Sequence, residues 1–317
     1  MARISVTHIS DPGCPFAYSA MPFVTALQWR YGDQLAWRHV LIGLTERREQ
    51  YEQRGYTPLR SAQGNLRFRR FGMPFATVVK PHVAATARAC RLVVATRLTR
   101  PELEWPVFRA LQFTQFTTPL AFDTDEALRD AVARVPGLDA DDLLARLDSD
   151  EVTAAYEADR AESRSAEGSP TAFQGKAAQT DGPVRFTAPS LLFEGPDGRR
   201  LEVGGFQPLE AYDVAIANLD PTLDRREAPE DVAQLLRAFP HGLTTREVST
   251  VLAGLFGPDD EDAERRLVEV AARGDAQPAA LGDGTLWTAS TRFSRDGQSA
   301  STTTTSASTN SPKKTSV

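Results

Sequence analysis

This chain is poor in the residues that most often carry chemistry. It has 2 cysteines and 4 histidines in 317 residues. Two cysteines are too few for a disulfide framework, and without close His or Cys companions neither forms a zinc-binding pattern. No metal is expected. Lysine is scarce beside arginine, alanine is abundant, and the formal net charge is −6. The negative balance argues against general affinity for nucleic acid or anionic lipid, because both begin with attraction to or from phosphate. No apolar run approaches the length of a bilayer span. Met1-Ala2-Arg3-Ile4-Ser5 leads directly into a strand with no apolar export segment, so a cytoplasmic location is expected. The arginine-over-lysine bias suggests a GC-rich bacterial genome.

What is present points to Cys14. A short apolar strand, Arg3 to Ile9, is followed by the turn Ser10-Asp11-Pro12-Gly13, then Cys14, then Pro15 and a helix to about Tyr31. Phe16, Ala20, Phe23, Val24, Leu27 and Tyr31 recur at three and four residues on that helix, which Gly32 ends. A thiol at the first cap lies beside unpaired backbone N–H groups and the positive end of the helix dipole, both of which favour thiolate. Cys14 is therefore expected to be ionised and reactive. The bland alternative is a small buried residue that happens to follow a turn.

The first unit reads β-α-β, closing with Leu35 to Ile42. From Thr57 to Gln179 the signals become helical, as in Val83, Ala87, Cys90 and Val94, or Leu103, Val107 and Leu111. Strand character returns with Ser190 to Phe193 and Arg200 to Val203, which flank the turn Gly195-Pro196-Asp197-Gly198. Leu209, Tyr212, Ile216 and Leu219 then follow at helical spacing. The expected fold is α/β: a split domain of residues 1–56 and 180–222 around an all-helical insertion at 57–179. After a charged connector, residues 229–290 read as three helices and a hairpin, similar to a winged helix. Thr244-Thr245-Arg246-Glu247 is a capping box there, and Val248, Val251, Leu252 and Leu255 form an apolar stripe. Residues 291–317 are rich in serine and threonine and are expected to be disordered.

Asp11-Pro12-Gly13-Cys14-Pro15-Phe16-Ala17-Tyr18 resembles the active-site turn of the DsbA-like branch of the thioredoxin superfamily. Gly72-Met73-Pro74-Phe75 with Ala89-Cys90-Arg91-Leu92, Thr187-Ala188-Pro189-Ser190, and Gly205-Phe206-Gln207-Pro208-Leu209 resemble three further landmarks of that branch in the correct order. The resemblance covers Ala2 to Leu219. It implies a thioredoxin-like fold, a cis Ala188–Pro189 bond facing Cys14, and a binding surface made by Pro15, Phe16, Ala188 and Pro189. It also implies thiol–disulfide chemistry with a low-molecular-weight thiol or a protein thiol or disulfide as partner. The departure is Ala17, where a dithiol oxidoreductase has its second cysteine; it has no sulfur with which to resolve a mixed disulfide. The expected activity is single-thiol exchange by Cys14, resolved by an external thiol, with glutathione or mycothiol as co-substrate and genome composition tilting towards mycothiol. The turn also resembles kappa-type glutathione transferases and hydroxychromene-carboxylate isomerases, although Gln207 and Pro208 stand where those relatives carry an acidic-basic pair. A third reading is a binding protein that kept the fold and lost turnover.

Other candidates are weaker. Cys90 lies on an apolar helical stripe and is either a resolving thiol or a packed one. Arg60, Arg67, Arg69 and Arg70 form a basic run, read as a loop, with the geometry to hold carboxylates. His8 alternates with buried strand positions and faces either the site or a polar edge. The third helix of the last module opens Asp259-Asp260-Glu261-Asp262, which phosphate would repel, so docking on the body or a protein partner is expected instead of DNA reading.

Overall fold

A computed structural model describes residues 3–253 and 257–290; the expected tail and Leu255 lie outside the described residues. Strand β1 (Ile4–Ser10) is followed by α1 (Pro15–Ser19), α2 (Met21–Tyr31) and β2 (Leu35–Leu41). One continuous helix was expected between the strands, but it is divided at Ala20. Pro22 stands at the start of α2, where its missing N–H costs nothing, whereas inside a continuous helix it would break a hydrogen bond.

The helical region holds α3 (Arg48–Gln53), α4 (Pro58–Phe68), α5 (Ala87–Thr99), α6 (Glu104–Thr117), α7 (Asp125–Ala133), α8 (Ala140–Arg146), α9 (Asp150–Ser163) and α10 (Pro170–Phe173). Helices α7, α8 and α9 begin where Thr124, Asp139 and Ser149 accept backbone N–H groups, caps worth about 1 kcal/mol each. Two features depart from the sequence reading. Helix appears already at Arg48, and residues 73–86 form a strap with no helix or strand.

The chain then forms β3 (Ala177–Ala178), β4 (Arg185–Phe186), β5 (Ser190–Glu194), β6 (Arg200–Gly204) and α11 (Leu209–Leu219). The main sheet has the order β2-β1-β5-β6, with β1 and β2 parallel and the remaining pairs antiparallel. Its two central strands come from opposite ends of the domain, so Cys14 and the loop before β5 meet at one sheet end. Helices cover both faces, which is why β1 is buried on both apart from Ser5.

The last module has α12 (Val232–Ala238), β7 (Leu243–Thr244), α13 (Thr245–Leu252), α14 (Asp260–Ala272), β8 (Ala276–Leu281) and β9 (Gly284–Ala289), with sheet order β7-β9-β8. It docks on its own body. Leu236, Val248, Leu267 and Trp287 share one buried cluster with Leu27, Ile216 and Leu219. At the centre of this contact Glu247, fully buried, accepts from the Arg109 guanidinium, the Thr25 hydroxyl at 3.0 Å and its own cap residue's N–H, that of Thr244, at 2.8 Å. Arg265 and Arg266 pair with Asp262 on their own helix. Among the described residues, no helix is long and apolar enough to cross a membrane.

Candidate active site

Cys14 caps α1 in extended conformation, with Pro15 opening the helix. Its N–H donates to the Asp11 carbonyl at 3.1 Å. Gly13 precedes it because a Cβ there would stand 2.7 Å from Thr86 Cγ2 and 2.8 Å from Phe122 Cζ. The Cys14 thiol donates to the Ala188 carbonyl at 3.3 Å, and the Ala188–Pro189 peptide is cis. That loop is tied at its far end: Ser190 Oγ donates to the Thr187 carbonyl at 2.7 Å and accepts the Gly205 N–H at 3.2 Å. Three of the motifs noted in the sequence thus converge within a few ångströms.

The protonation state differs from the sequence expectation. Burial pushes the Cys14 thiol up to about 11; the backbone N–H of Ala17 pulls it down, Asp11 adds to the rise, and the Phe16 N–H and Arg185 oppose it. Local helix geometry is as expected, but Cys14 is only 8% exposed, and desolvation of a thiolate outweighs two N–H donors. The thiol form dominates at neutral pH. Because thiolate is the nucleophile, alkylation of Cys14 is expected to speed up about tenfold per pH unit from pH 7 to 10 without levelling. Iodoacetamide trapping read by mass spectrometry checks this, and a plateau below pH 8 would contradict it.

Asp11, a member of the motif with no role assigned from sequence, is the hub beneath the cysteine. Its carboxyl accepts the N–H of Gly13 at 2.8 Å and of Leu44 at 2.9 Å, the Thr86 hydroxyl at 2.9 Å and the Cys90 thiol at 3.6 Å. Burial raises its pKa against the downward pull of these donors. Cys90 has no solvent exposure, and burial pushes its thiol well above the usual range. It packs among aliphatic and aromatic side chains of the helical region and is not paired with Cys14.

Beside Cys14 opens a cavity of about 670 Å³. Cys14, Pro15 and Phe16 belong to its lining, whereas Ala188 and Pro189, expected as part of the binding surface, do not. Phe16 is 42% exposed and meets Phe68 edge-on at 4.8 Å. Arg54, Arg60, Lys80 and His82 supply basic groups to the lining, and no aspartate or glutamate belongs to it. Burial lowers the Lys80 ammonium to about 7 against an upward pull from Asp123; it donates to Gln115 Oε1 at 3.1 Å and to the Leu120 carbonyl. His82 Nε2 lies 2.7 Å from Asp123.

The other basic and histidine candidates are placed differently. The run expected as a loop lies on α4 and the short 3-10 turn after it, because Thr57 caps a helix opened by Pro58. Of its arginines only Arg60 reaches the cavity; Arg69 pairs with Asp283 at 2.6 Å, and Arg70 lies over the Phe71 ring. His8 is buried between His39, Trp105 and Phe108, away from the cavity lining, and burial holds its imidazole well below the usual value. Asp11, Lys80 and His82 were not singled out from sequence. Lys80 alone had a signal, as one of the few lysines in an arginine-rich chain. Among the described residues no cluster of three potential ligands could hold a metal ion.

A βαβ unit joined to an antiparallel strand pair, with a cysteine at the first helix facing a cis-proline, defines a thioredoxin-fold protein of the thiol–disulfide oxidoreductase class. The DSBA-like thioredoxin domain family matches residues 5–188, and the chain belongs to that family. A solved structure ascribed to a protein disulfide isomerase from Nitrosomonas europaea has 20% identity and a TM-score of 0.51 over 68% of this chain and 97% of that one, which shows a shared fold. The cytosolic disulfide reductase DsbM from Pseudomonas aeruginosa aligns at 16% identity and TM-score 0.48, covering 68% of this chain and 99% of its own. A DsbA oxidoreductase from Streptomyces coelicolor aligns at 18% and 0.49, covering 69% and 91%. No curated protein matches the sequence.

Proposed function

We propose that this protein is a single-cysteine thiol–disulfide oxidoreductase whose resolving partner is a small thiol bearing carboxylates. The observation that carries the reading is that Cys14, with Sγ held at the Ala188 carbonyl, lines a cavity that Arg54, Arg60, Lys80 and His82 also line. In the first step the Cys14 thiolate attacks a disulfide, forming one S–S bond and breaking another, and the leaving thiolate takes up the proton that Cys14 releases. With Ala17 in place of a second thiol, an external thiolate attacks the substrate sulfur of the mixed disulfide. The bond to Cys14 breaks, Cys14 leaves as thiolate and takes up the proton of the attacking thiol, and the product is a disulfide between the small thiol and that substrate half. Charge developing on Sγ meets the N–H groups of Phe16 and Ala17 and the field of Arg185.

Cavity charge favours one of the two expected co-substrates. Mycothiol is a neutral sugar conjugate, whereas glutathione carries two carboxylates, for which Arg54, Arg60, Lys80 and His82 provide partners. Glutathione-type thiols are therefore the better fit. Treating the protein with oxidised glutathione and weighing it intact tests this: one glutathione adduct on Cys14 is expected, released by excess reduced glutathione. No adduct on Cys14, or one on Cys90 alone, would refute the proposal. A second reading, a fold retained for binding only, is favoured by the raised thiol of Cys14; it requires thiol binding in the cavity without adduct or turnover.

A further inference from the structure

The strap of residues 73–86 supplies Val78, Lys80, His82 and Thr86 to the cavity lining, yet it has no helix or strand of its own. Something else must hold it, since a segment without a ladder keeps its place only through specific anchors. Its later residues are held by the body, Lys80 by Gln115 and the Leu120 carbonyl and His82 and the Ala85 N–H by Asp123, whereas its first residues are gripped by the C-terminal module. At the β8–β9 turn, Asp283 Oδ1 accepts the Phe75 N–H at 2.6 Å while Oδ2 pairs with Arg69 Nε at 2.6 Å. Arg69 in turn donates to the Phe75 carbonyl at 3.1 Å and to Thr77 Oγ1. The two side chains thus hold the backbone N–H and C=O of one residue, Phe75.

The turn is also pressed flat on the strap. Gly282 has φ +59, and a Cβ there would lie 3.2 Å from both Phe75 C and Ala76 N; one on Gly284 would lie 2.8 Å from Pro74 Cγ. From this anchor the contacts run to the catalytic turn. The Tyr18 hydroxyl donates to the Pro74 carbonyl at 2.9 Å, and the Phe75 ring meets Tyr18 at 5.2 Å and Phe116 at 5.4 Å. Tyr18 N–H donates to the Cys14 carbonyl at 3.0 Å, and Phe116 is itself part of the cavity wall.

We infer that the hairpin tip of the C-terminal module, through Asp283, is a positioning device for the substrate cavity: it sets where the strap presents Lys80 and His82 to an anionic ligand. Asp283 touches no reacting atom and acts through Phe75. The inference rests on the cavity binding an anionic thiol, as proposed above, and its test does not need turnover.

Cys14 in the full-length protein is alkylated with iodoacetate and with iodoacetamide, which differ in charge but share the same chemistry. In Asp283→Ala the iodoacetate-to-iodoacetamide rate ratio is expected to fall about fivefold or more, with the iodoacetamide rate within about twofold of the parent. Asp283→Asn, which keeps an acceptor for the Phe75 N–H, recovers part of the ratio. Hydrogen exchange across 73–86 is expected to quicken in the alanine variant with the main sheet unchanged. An unaltered ratio with unaltered exchange overturns the inference. So does an equal fall in both alkylation rates, which would mark general damage. A parent protein that discriminates by charge but forms no glutathione adduct would sink the proposed function and leave the positioning role standing.

Discussion

Cys14→Ser is expected to bring glutathione-dependent disulfide exchange down to the uncatalysed background, while Cys90→Ser keeps most of the parent rate. A serine hydroxyl at the cap of α1 could still donate to the Ala188 carbonyl, so the fold should survive. It supplies no thiolate and cannot form the mixed disulfide. At position 90 serine retains a donor for the Asp11 carboxyl, which is the bond the thiol makes there. Reduction of a small mixed disulfide, followed with both variants across pH, measures the difference. Parent-like turnover in the Cys14 variant would remove the assignment of the nucleophile, and parallel loss in both would make Cys90 a participant.

The largest stability effect is expected at Glu247. Its alanine variant leaves the Arg109 guanidinium, 5% exposed, as an uncompensated charge between body and module, and it also strips the Thr25 hydroxyl and the Thr244 N–H of their acceptor. Removing one partner of such a pair costs about 3–5 kcal/mol, which at this size lowers the melting midpoint by roughly 6–20 °C. Breaking a buried pair is more damaging than lacking one. Arg109→Met combined with Glu247→Met should therefore regain a large part of the loss. Differential scanning calorimetry of both variants beside the parent checks this; a loss under about 1 kcal/mol in Glu247→Ala would mean that the apolar cluster alone holds the module. Loss of docking would also withdraw Asp283 from the strap, so the alkylation charge preference should fall with it.

Much of the site was legible because it is written in contiguous motifs. A thiol between a turn and a proline, a cis-proline loop and a strand-to-helix turn each need only a few neighbouring residues to be recognised. The capping box at Thr244 and Glu247 was legible for the same reason, although nothing nearby in the chain showed that its glutamate would also hold Arg109. The strap at 73–86 was not visible, because Val83 reads as the start of a helical stripe and the anchors lie far along the chain, Asp123 for His82 and, more than two hundred residues downstream, Asp283 for Phe75. The basic lining was only partly read for a related reason: of the basic run only Arg60 reaches the cavity while Asp283 claims Arg69, and Arg54 and Lys80 join the lining from outside that run.

The amino-acid sequence by itself determined that Cys14 would cap a helix, that a proline would follow it and that no second thiol would stand at Ala17, and its resemblance to the DsbA-like branch implied that the partner loop would be Thr187 to Ser190. Those are local properties of turns, caps and motif order. Only the tertiary structure decided the charge state of the sulfur, because desolvation depends on what packs over an atom and not on which residues flank it. Burial of Cys14 above the Asp11 carboxyl raises a thiol that the helix end alone would have lowered. The character of the cavity was likewise decided by the fold, which gathers Arg54, Arg60, Lys80 and His82 along one wall while the chain as a whole is acidic.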